Sequence, residues 1–220
     1  MVDYLTSWCE IRDRVAWADV RYGLRWPSGS VRARRDGLAH RITTVEHARD
    51  ATRAERLLSA YGQMRRDAAA DKILDFRMLA SWQCTVLGVA DAPFRDGPAF
   101  AKDGRERYGL SSDTPGQFAD CLLAASRDRE LPVAARAARL YLDVSFFHPF
   151  ADGNARSALL ALVFVLVRED IVLDEVGPLA QVQRPADDAE GAAGLANLVV
   201  ALIEGTQRRL RQTAHAASPN

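Results

Sequence analysis

The 220-residue chain has little cysteine, little histidine, no excess charge of either sign and no long hydrophobic run, and each shortage excludes a class of protein. Cys9, Cys84 and Cys121 are odd in number, widely spaced and set among apolar residues. They offer no disulfide framework and read as reduced core thiols, which points to the cytoplasm. The four histidines, His40, His47, His148 and His215, form no spacing with a second His or Cys that would suggest zinc. Twenty-nine basic residues cancel twenty-nine acidic ones, so no global field draws the protein to nucleic acid or to an anionic membrane. Local basic runs at Arg32, Arg34, Arg35 and at Arg208, Arg209, Arg211 lack interleaved aromatics and read as solvated faces. Asp3, Glu10 and Arg12 interrupt the apolar core that a signal peptide would need. The longest apolar run, 158–167, has ten residues, too few to span a bilayer. The expectation is one cytoplasmic domain with neither a nucleic-acid nor a membrane partner.

What the chain does have is helical periodicity. Trp8, Ile11, Val15, Ala18 and Tyr22 mark a first amphipathic helix, stopped by Pro27-Ser28-Gly29-Ser30. A second helical stretch runs from about Thr44 to Ala70 with Thr43 or Thr44 as N-cap, and a third from Asp71 to Leu87. Thr114-Pro115 opens another, with Phe118, Cys121, Leu122 and Ala125 on one face. Leu131-Pro132 starts the helix that ends at His148. The run 158–167 is apolar on every side, which a helix tolerates only when others surround it, so it is expected to be the central one. Leu195, Leu198, Val199, Leu202 and Ile203 form a last stripe, and residues 213–220 read as a frayed tail. Helix logic fails between Asp91 and Thr114, where Pro93, Gly97, Pro98, Gly104 and Gly109 intervene. Within it Asp103-Gly104, between short extended stretches, signals a two-residue hairpin turn.

The chemistry concentrates in His148-Pro149-Phe150-Ala151-Asp152-Gly153-Asn154-Ala155-Arg156, nine consecutive residues in a helix–loop–helix elbow. An imidazole titrating near ~6.5 can take a proton from a hydroxyl at neutral pH, which makes His148 a candidate base. Asp152 is a hard oxygen ligand suited to Mg²⁺, which keeps its waters and draws further ligands from a substrate's phosphates; no other metal is indicated. Gly153, Asn154 and Ala155 open a helix whose first N–H groups lack intrahelical acceptors and face any anion present. Arg156 adds a planar donor fork suited to phosphate.

In these residues the chain resembles the Fic/Doc (Fido) family, whose signature is His-x-Phe-x-(Asp/Glu)-Gly-Asn-(Gly/Lys)-Arg, usually with a second Arg shortly after. His148, Phe150, Asp152, Gly153, Asn154 and Arg156 take the family's places, while Ala155 and Leu159 depart from it, both at the phosphate end. The periodicity alone gives about seven or eight helices, and the resemblance implies an all-α fold with a central buried helix and one short β-hairpin flap. It divides the single domain 1–220 into N-terminal helices (1–70), a Fic core (71–212) and the tail. It also implies a transferase that moves a phosphate-containing group, most often AMP from Mg²⁺-bound ATP, onto a hydroxyl of a target protein. His148 would be the base, Asp152 the metal ligand, and Gly153, Asn154, Ala155 and Arg156 the phosphate-binding residues. Residues 99–109 fall where the family's flap aligns a target by strand addition, giving Ala99, Phe100, Ala101, Lys102, Arg105, Arg107 and Tyr108 as target-positioning residues. Doc-like phosphoryl transfer, chemistry on another nucleotide or phosphorylated small molecule, and a catalytically silent partner-binding domain are the alternatives. An antitoxin-like inhibitor is a further partner that the resemblance allows. Glu204-Gly205 only weakly resembles the family's inhibitory Ser/Thr-x-x-x-Glu-Gly/Asn segment and reads as an ordinary helix end.

Overall fold

Two helices meeting at one elbow organise the molecule. The computed structural model describes residues 2–20, 30–181 and 185–216. The chain opens with α1 (Tyr4–Arg12), capped by Asp3, whose carboxylate accepts from the Thr6 amide at 3.0 Å. This helix stops well short of Tyr22, because the Arg12 carbonyl accepts the Trp17 indole N–H at 2.9 Å and the chain turns away. Tyr22, Trp26 and the expected Pro27–Gly29 stop lie outside the described residues. Strand β1 (Val31–Arg32) follows, then α2 (Gly37–Arg41), a wide π-turn (Ile42–Glu46) and α3 (His47–Arg49). Thr43 and Thr44 are not caps: their hydroxyls bond back to Ala39 and His40 carbonyls within the turn. The caps are Asp36, which accepts from Ala39, and Asp50, which accepts from Arg53. The extended backbone of Asp50 (φ −160°) breaks the expected long helix before α4 (Ala51–Ala69).

Next come α5 (Phe76–Leu87), capped by Asp75 rather than starting at Asp71, and the hairpin of β2 (Ala99–Ala101) with β3 (Glu106–Tyr108). The antiparallel register pairs Ala99 with Tyr108, Phe100 with Arg107 and Ala101 with Glu106. The hairpin therefore forms where expected, but its turn spans 102–105 rather than two residues. Lys102, Asp103 and Gly104 all adopt positive φ, and Gly104 N–H bonds to the Ala101 carbonyl at 3.1 Å. Then follow α6 (Thr114–Arg127), α7 (Val133–Phe147), α8 (Asn154–Arg168), β4 (Ile171–Val172), α9 (Gly177–Gln181) and α10 (Ala189–Ala216). Helix α10 continues through Thr213 to Ala216, so the first part of the expected tail is helical. Strand β4 pairs in parallel with β1, a contact that local patterning did not announce.

The all-α reading holds, with strands confined to two short pairs among the described residues. Residues 157, 158 and 160–166 of α8 are buried, making it the central helix that an all-round apolar run requires. Helix α7 lies against α8 and α10, and α4 covers α8 from another side. Alanines 134, 135, 137 and 138, all fully buried, let neighbouring backbones approach α7 closely. Helix α1 is pinned to α7 by Asp143, fully buried, which accepts from Trp8 Nε1 at 2.9 Å and from Arg12 Nε and Nη2 at 2.7 and 2.8 Å. Among the described residues no helix is long and apolar enough to cross a membrane.

Candidate active site

The loop between α7 and α8 is tied to its neighbours by hydrogen bonds and ring packing. His148 caps α7 in the left-handed region (φ 49°), a conformation that costs a non-glycine residue on the order of ~1 kcal/mol or more. Phe150 is buried and stacks on Phe76 with ring centroids 5.6 Å apart, which anchors the loop in the core. Gly153 adopts φ 77°, and a Cβ there would sit 2.5 Å from Gln83 Nε2, so both conformation and space demand glycine. Gln83, fully buried, donates to the Asp152 carbonyl and accepts from the Ser157 hydroxyl, each at 2.5 Å, and so ties α5 to the loop and to α8.

Asn154 has a different duty from the phosphate contact expected of it. Its side chain accepts from the Phe150 amide at 3.0 Å and donates to the Phe150 carbonyl at 2.8 Å, and the residue is only 4% exposed. It closes the loop rather than facing a ligand. The amides of Asn154 and Ala155 belong to the first turn of α8 and have no intrahelical acceptor, whereas that of Arg156 already bonds to the Gly153 carbonyl at 3.0 Å. Arg156 is largely buried, with Nη2 3.5 Å from Asp152. Burial lowers its pKa and the neighbouring Arg53 guanidinium adds to the effect, but a guanidinium stays protonated regardless.

His148 is half-buried beneath Tyr108, whose ring stacks on the imidazole at 4.3 Å between centroids and 14° between planes. Its Nδ1 lies 3.3 Å from the Ser145 carbonyl. A carbonyl only accepts, so that contact places the proton on Nδ1 and the lone pair on Nε2. Burial lowers the His148 pKa, opposed by the bond to Ser145, and Arg95 lowers it further while Glu106 and Asp152 act against. The imidazole is thus neutral at neutral pH. Asp152 lies four residues on with its side chain 76% exposed; one oxygen accepts from the Gly153 amide at 2.6 Å and the other lies 3.5 Å from Arg156 Nη2.

The structure brings the flap and the motif together. Tyr108 touches His148, and its hydroxyl donates to Glu106 at 2.7 Å. Arg107 pairs with Asp3 at 2.5 Å, and a bridge between the two residues places the chain's N-terminal segment along β3. Phe100 is 54% exposed on β2, the strand with no second neighbour among the described residues. Lys102 and Arg105 sit at the hairpin tip, Lys102 paired with Glu106 at 2.7 Å and Arg105 donating to the Lys102 carbonyl at 2.8 Å.

On the other side of the loop two adjoining cavities of about 210 and 250 Å³ share Glu46, Arg49, Leu57 and Arg156. The first is lined by Ala155, Leu159, Tyr141 and Arg41, so Leu159 faces a cavity and not only the core. The second adds Asp50 and Arg53. Glu46 pairs with Arg41 at 3.0 Å, and Arg49 approaches it at 3.9 Å. The acidic residues lining these cavities are Glu46 and Asp50; Glu204 lies within α10, 3.9 Å from Arg208, and not at a helix end as expected, because α10 continues to Ala216. Sequence reading missed Glu46, Arg49 and Arg53 because the break at Asp50, which turns them toward α8, leaves no local periodic signal. It missed Gln83 and Arg95 because their partners are distant in sequence; a lone Arg between two prolines in an irregular stretch is the only hint of the second.

Among the described residues no group of three or more His, Cys, Asp or Glu side chains could hold a metal. Asp152, 76% exposed, with one oxygen accepting from the Gly153 amide and the other held only at 3.5 Å from Arg156 Nη2, fits a cation that takes most of its ligands from water and phosphate. The fold is shared with a crystal structure of a Fic-domain-containing signaling protein from Bacteroides thetaiotaomicron VPI-5482, with a TM-score of 0.57 and 18% identity over 76% of this chain and 73% of that one. No curated protein matches the sequence. A family model described as Fic/DOC family matches residues 85–166, a segment that includes the flap, α6, α7, the loop and nearly all of α8. His148 to Arg156, the loop in which the sequence resembles that family, lies within the matched residues.

Proposed function

We propose that the protein transfers a phosphate-containing group, with AMP from ATP as the leading reading, onto a hydroxyl of a target protein. The observation that carries the proposal is His148: a neutral imidazole, its Nδ1–H engaged by the Ser145 carbonyl, in the loop that leads into the first turn of α8. In the reaction, His148 Nε2 takes the hydroxyl proton as the target oxygen bonds to the α-phosphorus. The bond from that phosphorus to the bridging oxygen breaks, and pyrophosphate leaves. The amides of Asn154 and Ala155, with Arg156, hold the phosphate on which negative charge gathers. Asp152 would hold Mg²⁺, which when bound offsets phosphate charge and orients the donor. The free edge of β2 would receive an extended segment of the target, with Phe100 beside it.

A second reading rests on Leu159 and Ala155. Both line the cavity beyond Arg156, and neither can bond a terminal phosphate, which favours a donor with a shorter or differently substituted phosphate chain, or phosphoryl transfer. Intact-mass analysis after incubation with ATP and Mg²⁺, of the protein itself and of a cell lysate, separates these readings. A gain of AMP supports the first and a gain of phosphate the second. No gain with any nucleotide donor overturns both and leaves a partner-binding role.

A further inference from the structure

Arg95 lies in the irregular segment between Pro93 and Pro98, is only 9% exposed, and among the described residues has no ion-pair partner. A buried cation usually has a carboxylate beside it, because desolvation is otherwise uncompensated. Here four carbonyls take that role directly, and the Asp3 carboxylate, beyond ion-pair distance, favours the charge as well. Nε donates to the His148 carbonyl at 2.9 Å, and Nη2 to those of Phe147, at 3.3 Å, and of Gly109. Nη1 donates to the Gly97 carbonyl at 2.5 Å, and the Arg95 amide bonds to the Pro149 carbonyl at 2.9 Å. Gly97 and Gly109 are the two feet of the hairpin, just before β2 and just after β3. Phe147, His148 and Pro149 are the turn that carries the base. One planar fork therefore joins both feet of the flap to the left-handed turn at His148. Lysine, with its donors on a single point, could not reach acceptors in so many directions.

Resting on the reading of His148 as the base, we infer that Arg95 is a positioning residue that locks the flap to the His148 turn, so that alignment of the target and orientation of the imidazole are set together. The flap's own contact with the imidazole, the Tyr108 ring 4.3 Å away, depends on this lock. Misplacing reacting groups by about an ångström can cost roughly a hundredfold in rate, while donor phosphates, held by α8 and Arg156, do not depend on Arg95.

The test compares Arg95→Lys and Arg95→Met with the parent protein. The expected result is a kcat lowered by about a hundredfold with KM for the donor unchanged. Nuclear Overhauser contacts between the Tyr108 ring and the His148 imidazole should also be lost while the methyl spectrum of the core stays native. Unchanged kcat with intact ring contacts overturns the inference. So does a parallel change of kcat, donor KM and the core spectrum in both variants, which is what a merely structural residue would give. If Arg95→Met does not fold, Arg95→Lys decides alone. If the parent transfers nothing, the functional reading fails, and the ring contact in Arg95→Lys still decides the lock: preserved, it refutes it; lost within a native core, it supports it.

Discussion

The two flanks of the motif loop are built on opposite terms. On the flap side the polar groups are matched: Arg95 is met by carbonyls, Tyr108 by Glu106, and Arg107 by Asp3, around a neutral imidazole. On the α3–α4 side Arg41, Arg49, Arg53 and Arg156 converge on two cavities with only Glu46 and Asp50 among them, and Leu159 supplies an apolar wall. A matched region has one low-energy arrangement and suits a base whose orientation matters. A region with cationic charge in excess is completed by something anionic, and its shape sets which donor is accepted. On the proposed function, chemistry belongs to one flank and donor selection to the other, and substitutions on the two flanks should fail in different ways.

The largest effect belongs to His148→Ala. Loss of the base should lower kcat by roughly 10²- to 10⁴-fold and leave donor affinity nearly unchanged, since proton transfer is needed in the transition state and not for binding. Single-turnover rates beside equilibrium binding of the nucleotide make the check. Donor affinity falling along with the rate would mean that the flap side also selects the donor and would break the division.

On the opposite flank, Leu159→Arg combined with Ala155→Gly should raise ATP affinity by roughly ten- to a hundredfold, the value of a charged hydrogen bond of about 1.5–3 kcal/mol. Residue 159 lines the cavity, so the new guanidinium has room to reach an anion there. Competition binding of ATP, ADP, AMP and a non-nucleotide phosphate measures it. A native protein that already prefers ATP over ADP by more than a hundredfold would show that Arg49 and Arg53 do the work assigned to the missing charge.

How much of this was legible in the sequence follows from the range of the contacts involved. The loop was readable because base, carboxylate, glycine and Arg are contiguous and the turn geometry is local. The central place of α8 was readable because an all-round apolar helix has no other stable position. The flap was readable as a hairpin, though its four-residue turn was not, since Lys102 and Asp103 hold positive φ without being glycine. The duty of Asn154 was not readable, because its two bonds to Phe150 arise only once the loop has closed. Arg95 and Gln83 stayed hidden because each acts across a long stretch of chain, and no spacing rule connects a side chain to a carbonyl fifty residues away; Glu46 stayed hidden because the break at Asp50 interrupts the helical pattern around it.

A smaller effect is expected from the free edge of β2. Ala101→Pro removes one main-chain donor from the strand on which a target segment would add, and a net hydrogen bond of about 0.5–1.5 kcal/mol corresponds to roughly two- to tenfold in target KM. Donor binding should persist. Equal loss of donor binding would show that the hairpin serves the nucleotide.

The smallest effect is in the pH profile, and its sign follows from burial. An imidazole of ordinary pKa, near ~6.5, would lose roughly fourfold of its neutral form between pH 8 and pH 6. His148 titrates lower because it is half-buried under Tyr108 and faces Arg95, and the charges of Glu106 and Asp152 only partly oppose this. The transfer rate should therefore fall by less than fourfold over that interval, with the acid limb displaced to lower pH. Burial works against the Glu106 charge, but Lys102 and Tyr108 hold its pKa below the usual carboxylate value, so its ionisation does not change in this window. Stability carries the same sign. A histidine whose folded pKa is depressed contributes stability that is present above the unfolded pKa and is lost as the pH falls through the folded value. The melting temperature of the parent should then decline more steeply on acidification below pH 6.5 than that of His148→Ala. A rate that already falls fourfold by pH 6, or a melting profile identical in the two proteins, would mean that the imidazole is as solvated as a free one. The matched flank would then be open to water, and the contrast with the arginine-rich flank would not stand.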